Sequence, residues 1–368
     1  MKLTRIAPLG ALVAASTLVL AGCAANEASA DGSGPSPTGD SSAALSGTIN
    51  GIGSSAQGTA QQAWIAGIQT ANPELNINYD PQGSGAGRKS FISGAADFAG
   101  SDAALSDDEL AGTFAMCADG TSAIDLPVYI SPIAIAYNIE GVDELKLDAA
   151  TIAGIFSGTI TRWDDAKIAA LNEGVSLPDA AITVVHRSDD SGTTQNFTEY
   201  LAANAADVWT EEPSQTFPFA VGDAAKGTSG VAEAAKSAKN SITYIDESGA
   251  AGLSIAQLKV GDTFVKISAD GAAAVVADSP LVTGRAAGDL AIAINRTDTQ
   301  DGAWPLVLVS YLIACQQYQD ADKGALVSSY IQYVAGDAAQ QAAAAQAGSA
   351  PLSAELSAKV IAAAQTIK

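Results

Sequence analysis

Three times along this chain a run of extended-strand character gives way to glycine and serine and then turns helical. The corners read Gly51-Ile52-Gly53-Ser54-Ser55-Ala56-Gln57, Gln82-Gly83-Ser84-Gly85-Ala86-Gly87 and Arg187-Ser188-Asp189-Asp190-Ser191-Gly192-Thr193-Thr194. Strands that repeatedly lead into helices restrict the chain to α/β architecture. Glycine lets the backbone approach a ligand closely, and the first N–H groups of a helix lack intrahelical acceptors. With short hydroxyls beside them, such corners can meet the many lone pairs of a tetrahedral oxyanion. One corner alone is ordinary capping; three, uncharged except for one arginine and its aspartates, point to an anion site.

The rest of the body keeps the same alternation. Extended segments are expected at 44–52, 75–79, 124–137, 182–186 and 241–245, and helices over 57–70, 87–93, 149–156, 163–171, 194–203 and 231–238. Short strands are expected at 264–267 and 274–276, a β-rich return to the core at 304–315, and helices over 324–334, 337–347 and 353–367. No tandem repeat is present.

The amino end is a different kind of segment. Lys2 and Arg5 precede an apolar run from 7 to 21 that is too short for a permanent span, so residues 1–22 read as a signal peptide. The run ends in Leu20-Ala21-Gly22-Cys23, which resembles a bacterial lipobox and implies diacylation of Cys23. Residues 23–44, rich in Ala, Ser, Gly and Pro, are expected as a lipid-anchored tether with a reach of roughly 25 Å. The expected location is the extracytoplasmic face of the cell membrane, and the remaining 45–368 suit two lobes rather than one core.

A net charge of −22, from 40 acidic and 18 basic residues, excludes a nucleic-acid partner and a basic membrane-docking face. It leaves an anionic ligand open, since helix termini act locally whereas scattered carboxylates are screened beyond about 8–10 Å. Cys117 and Cys315 form an even pair in an exported chain and are expected as a disulfide, with two buried thiols as the alternative. His186 is the single histidine and reads as structural, so neither a metal site nor a cofactor is expected. Residues 83–90, GSGAGRKS, nearly match a nucleotide-binding P-loop, but Arg88 stands where that motif requires glycine.

The chain resembles the phosphate-binding proteins of the ABC-type phosphate uptake system. The resemblance is carried by Gly83-Ser84-Gly85, by 97–106 (DFAGSDAALS), by 156–165 (FSGTITRWDD), by Arg187 with Asp189, Ser191, Gly192 and Thr193, and by Ala303-Trp304-Pro305. It implies a two-lobed type II periplasmic-binding-protein fold with a ligand cleft and two hinge crossings, lobe I being 45–128 plus 300–368 and lobe II 129–299. It implies phosphate held by Ser55, the Ala56 N–H, Ser84, Asp102, Arg187, Ser191, Gly192 and Thr193, with Asp189 orienting Arg187. Asp102 would accept the hydrogen of a protonated phosphate, which sulfate lacks. The implied partners are inorganic phosphate and the permease subunits of the transporter, the protein being a monomer without catalytic activity. Two departures are present: family members often carry threonine then phenylalanine where this chain has Ser55 and Ala56, and the Cys117/Cys315 pair is absent from the best-known members. The rival readings are a secreted phosphatase or other hydrolase built on Ser191, and a surface phosphate sensor or adhesin reusing the fold.

Overall fold

The computed structural model describes residues 44–368. Cys23, the signal peptide and the tether up to residue 43 lie outside the described residues. From the first corner the chain forms β1 (Gly47–Gly53), α1 (Gly58–Ala71), β2 (Leu75–Asp80), α2 (Ser84–Ile92), β3 (Phe98–Ser101) and the single-turn α3 (Asp107–Leu110). A sixteen-residue strand, β4 (Ala123–Asn138), is followed by β5 (Lys146–Leu147), α4 (Ala149–Phe156), α5 (Ala166–Leu171), β6 (Thr183–Arg187), α6 (Gly192–Asn204), β7 (Asp223–Ala225) and α7 (Gly227–Ser237). Then come β8 (Ser241–Asp246), β9 (Ser254–Ile255), β10 (Gln257–Val260), β11 (Thr263–Val265), α8 (Ala269–Ala277), β12 (Val307–Cys315) and the closing helices α9 (Ala321–Ala335), α10 (Asp337–Ala347) and α11 (Ala354–Ala364).

β4 organises the molecule. It is buried along almost its whole length, the pattern of a strand covered on both faces. Its first part pairs antiparallel with β12, from Ala123 opposite Cys315 to Pro132 opposite Val307. From Ile133 onward it changes partner and pairs with β8, Ile133 lying opposite Asp246. The strand order β2-β1-β3-β12-β4-β8-β6-β7 is thus one curled sheet in two halves, joined through β4, with β9 added beside β4. Two prolines sit in this strand, and the register slips between Ser310 and Tyr311, opposite Pro127 and Tyr129. Proline cannot donate to a ladder, and a slip of this kind bends a strand. The parallel pairs β1 with β2 and β3, and β6 with β7 and β8, supply the two α/β halves.

Tryptophans fasten the packing. The indole N–H groups of Trp64, Trp163 and Trp304 donate to the carbonyls of Ala339, Asn240 and Ile133 at 3.0, 3.0 and 3.1 Å. His186 stacks on Phe217 at 4.1 Å and its Nδ1 meets the Arg187 carbonyl at 2.9 Å, the surroundings of a packed side chain. Cys117 and Cys315 are joined in a disulfide across 198 positions of sequence.

Several expectations shift. Residues 274–276, expected as a strand from Val275 and Val276, belong to α8: Ser268 caps it by accepting from Gly271 N at 3.0 Å, and the alanines around the valines favour a helix. The helix expected from 163 starts at Ala166, after the cap Asp165, because Trp163 is held in the preceding turn by its N–H bond to Ala180. Trp304 likewise precedes β12 and lies outside it. In 83–90 the helix begins at Ser84, and Arg88 is buried with Nε on Glu109 and Nη1 on Ser101, so this stretch is not a phosphate-wrapping loop. β3 and the short strands β5, β7, β9 and β10 carry too few residues to show a period.

Candidate functional site

The three corners meet across the cleft between the two halves of the sheet. β1 ends at Gly53, and Gly83 N donates to the Gly53 carbonyl at 2.8 Å, which sets the second corner beside the first. Gly83 has φ +104°, and a side chain there would run into Asp189, so glycine is required on both counts. Ser84 opens α2, and its Oγ accepts from Asp102 N at 3.1 Å, leaving the hydroxyl hydrogen free to point elsewhere. On the far side Ser191 caps α6, accepting from Thr194 N at 3.2 Å, which frees its hydrogen in the same way.

Asp102 is the meeting point. It is almost fully buried just after β3, and its Oδ2 accepts from Thr193 Oγ1 at 3.2 Å across the cleft, while Oδ1 accepts from Ser310 Oγ at 2.6 Å. Its carbonyl accepts from Asn196 Nδ2 at 2.7 Å. A β-carbon on Gly192 would lie 2.6 Å from Asp102 Cβ and 2.7 Å from Ser84 Oγ, so only glycine lets the start of α6 come this close. Gly85 N donates to the Asp190 carbonyl at 3.1 Å, a further bond from one side to the other.

Arg187 ends β6 and is 5 % exposed. Its Nε and Nη2 donate to the two oxygens of Asp189 at 2.7 and 2.5 Å, and Asp189 also accepts from Gly227 N at 3.1 Å. Burial works to raise the Asp189 carboxyl, but the Arg187 bond and charge with the Gly227 N–H outweigh it and hold the group below the usual carboxylate range. The guanidinium is thereby oriented with one nitrogen, Nη1, making no hydrogen bond among the described residues. At the start of α6 the Gly192 and Thr193 N–H groups also have no acceptor among them. Ser55 bridges the cleft at its other end: its Oγ accepts from Thr228 N at 3.0 Å and lies 3.0 Å from Thr228 Oγ1. Ala56 is buried beside it, and its N–H donates to Ser54 Oγ at 3.1 Å, so in this structure that donor is turned inward.

The result is a set of donors, two hydroxyls, two helix-terminal N–H groups and a guanidinium, opposed by a single buried carboxylate. Among the described residues no group of three His, Cys, Asp or Glu side chains is placed to hold a metal ion.

Residues 38–338 match the family model described as the PBP superfamily domain. The chain is 35% identical over 373 aligned positions to phosphate-binding protein PstS2 of Mycobacterium bovis (strain BCG / Pasteur 1173P2), with both chains covered completely. To phosphate-binding protein PstS 3 of Mycobacterium leprae (strain TN) it is 36% identical, covering 91% of this chain and 92% of that one. Among solved structures, a high affinity periplasmic phosphate-binding protein (PfluDING) bound with phosphate superposes with a TM-score of 0.70 at 25% identity, over 86% of this chain and 93% of that one. The chain belongs to the PstS family. Its fold is the two-lobed type II periplasmic-binding-protein fold that the sequence resemblance implied.

For this PstS family member the structure adds cleft residues that the corners did not disclose. Lys226-Gly227-Thr228-Ser229-Gly230 is a fourth glycine- and serine-rich passage from a strand, β7, into a helix, α7, and its composition is a signal that could have identified Thr228. Ser310 gives no such signal, because it stands inside the apolar β12. Asn196, one turn into α6, reads as an ordinary helix residue until its amide is seen on Asp102. A cavity of about 590 Å³ lined by Asp102, Asn196, Arg285 and Arg296 flanks the cluster on one side. A second, of about 460 Å³, lies against Ser55 and Thr228 on the other.

Proposed function

We propose that this protein captures inorganic phosphate outside the cell and delivers it to an ABC-type importer, tethered to the membrane through Cys23. The observation that carries this reading is Asp102, a buried carboxylate facing a cleft otherwise furnished with donors. A protonated phosphate offers P–OH to Asp102 and oxygens to the Ser84 and Ser191 hydroxyls, to Arg187 and to the Gly192 and Thr193 N–H groups that start α6. Sulfate would set its own lone pairs against the carboxylate, and sites built for a hydroxyl reject analogues without one by about 10⁴–10⁵. Charge-assisted bonds of about 1.5–3 kcal/mol each exceed in sum the ~8 kcal/mol of micromolar binding, the difference offsetting desolvation of the anion and ordering of the lobes.

The lobes in this reading divide within β4, near where it exchanges β12 for β8, and again in the stretch between α8 and β12. Bonds such as Thr193 to Asp102 and Ser55 to Thr228 then close the hinge. The protein acts as a monomer and leaves the ligand unchanged: Ser191 is engaged as a cap, and His186 is stacked on Phe217 with Nδ1 on a carbonyl. Titration calorimetry with phosphate and with sulfate, on the native chain and on Asp102→Asn, tests the reading. Strong phosphate binding with negligible sulfate binding is expected, and a weakened preference in the variant; equal affinity of the native chain for both anions would defeat it. A chromogenic phosphate ester should stay uncleaved.

A further inference from the structure

Behind Asp102 four fully buried side chains form a hydrogen-bonded line. Ser310 Oγ lies 2.6 Å from Asp102 Oδ1, and Gln57 Nε2 lies 2.6 Å from Ser310 Oγ. Gln61 Nε2 is 2.8 Å from Gln57 Oε1, and the Tyr330 hydroxyl is 2.6 Å from Gln61 Oε1. The line starts on α9, passes through two positions one turn apart in and before α1, crosses β12 and ends at the cleft.

Its direction is fixed by chemistry. Gln57 Nε2 also lies 3.0 Å from the Tyr311 carbonyl, which can only accept, so the amino end of that amide must face Ser310 and its oxygen must face Gln61. Gln61 therefore donates to Gln57 and presents its own oxygen to Tyr330, whose hydroxyl donates in turn. Ser310, receiving from Gln57, has one hydrogen left, and Asp102 Oδ1 is the acceptor at bonding distance. Every link donates toward the cleft.

We propose that Ser310, oriented by Gln57, Gln61 and Tyr330, is a positioning residue for anion selection that keeps Asp102 an acceptor. The inference rests on the proposed phosphate capture and names what holds its selectivity. With Ser310 Oγ–H committed to Oδ1, a proton on that oxygen would face another hydrogen, and Oδ2 is left to receive from Thr193 and from the ligand. Remove the Ser310 donor, and the carboxyl loses the bond that holds Oδ1 away from the cleft and Oδ2 toward it, so its preference for an anion that brings a hydrogen weakens. Sulfate, which has no hydrogen to give, would then be accommodated.

The test compares phosphate and sulfate affinities by titration calorimetry in the native chain, Ser310→Ala and Ser310→Thr, with thermal melting alongside. Ser310→Ala should lower the phosphate-to-sulfate affinity ratio at least tenfold, and Ser310→Thr, which keeps the hydroxyl, should restore it. Should the alanine variant not fold, Ser310→Cys, of similar volume with a weaker donor, is expected to lower the same ratio. An unchanged ratio in the folded variants, or phosphate and sulfate affinities that fall together, would overturn the role of Ser310. Failure of the native chain to bind phosphate at all would instead strike the capture function itself.

Discussion

Asp246 is a carboxyl group with no exposure, at the end of β8 opposite Ile133, where β4 changes partners. It accepts from Tyr129 OH at 3.2 Å and from Ser248 N at 3.0 Å. Burial pushes its pKa up to about 7, the bonds from Ser248 and Ser131 opposing and the charge of Asp102 adding to the rise. In the unfolded chain the same group titrates near about 4. Between those two values the folded state holds more protons than the unfolded one, so Asp246 makes stability fall as pH rises through the window, by up to about 4 kcal/mol. Asp189 has the opposite sign, since its lowered pKa adds stability that is lost only at more acidic pH. Urea unfolding at pH 4.5 and 7.5 should show Asp246→Asn gaining stability relative to the native chain at the higher pH; equal slopes would show that the group is ionised without cost. At Arg187 the forked bond to Asp189 sets where the remaining donor points. Arg187→Lys keeps the charge and loses the fork, and phosphate affinity is expected to fall roughly 10- to 100-fold by calorimetry.

α6 shows how one element carries several duties. Ser191 caps it, Gly192 admits Asp102 and Ser84, Thr193 bonds Asp102, and Asn196 one turn on holds the Asp102 carbonyl. Its first turn therefore touches the opposite lobe only when the two are together. Gly192→Ala puts a methyl into that contact and should leave the chain folded while weakening phosphate binding at least tenfold, read by titration with circular dichroism as the control. Undiminished affinity would mean that the lobes hold the ligand further apart than they stand here. Several helices are legible in the pattern: α1, α4, α6, α10 and α11 stand close to where it puts them. α8 was misread because Val275 and Val276 favour strands locally, while the Ser268 cap and the flanking alanines decide for a helix.

For the whole molecule, the long β4 makes two α/β halves share one sheet, and in the proposed capture a hinge closure would fall on the partner exchange in β4 and on the stretch between α8 and β12. The Cys117–Cys315 bridge closes a loop across 198 positions, and restraint of so long a loop chiefly limits the unfolded chain. Replacing both cysteines with serine should lower the unfolding free energy by about 2–5 kcal/mol in denaturant titration. A loss near zero would mean that the native fold gains nothing from the link.

By itself the sequence determined the α/β class and the three corners, because strand and helix periods and glycine-serine turns are local properties. The same locality exposed Ser55, Ser84, Arg187, Ser191, Gly192 and Thr193 as corner residues, and the family resemblance added Asp102. Only the tertiary structure decided that Ser310, Asn196 and Thr228 join them, that Ala56 N–H faces Ser54, and that Gln57, Gln61 and Tyr330 line up behind Asp102. Those contacts link residues as far apart as 61 and 330, and a hydroxyl inside an apolar strand acquires a direction only from the donors and acceptors that folding sets around it.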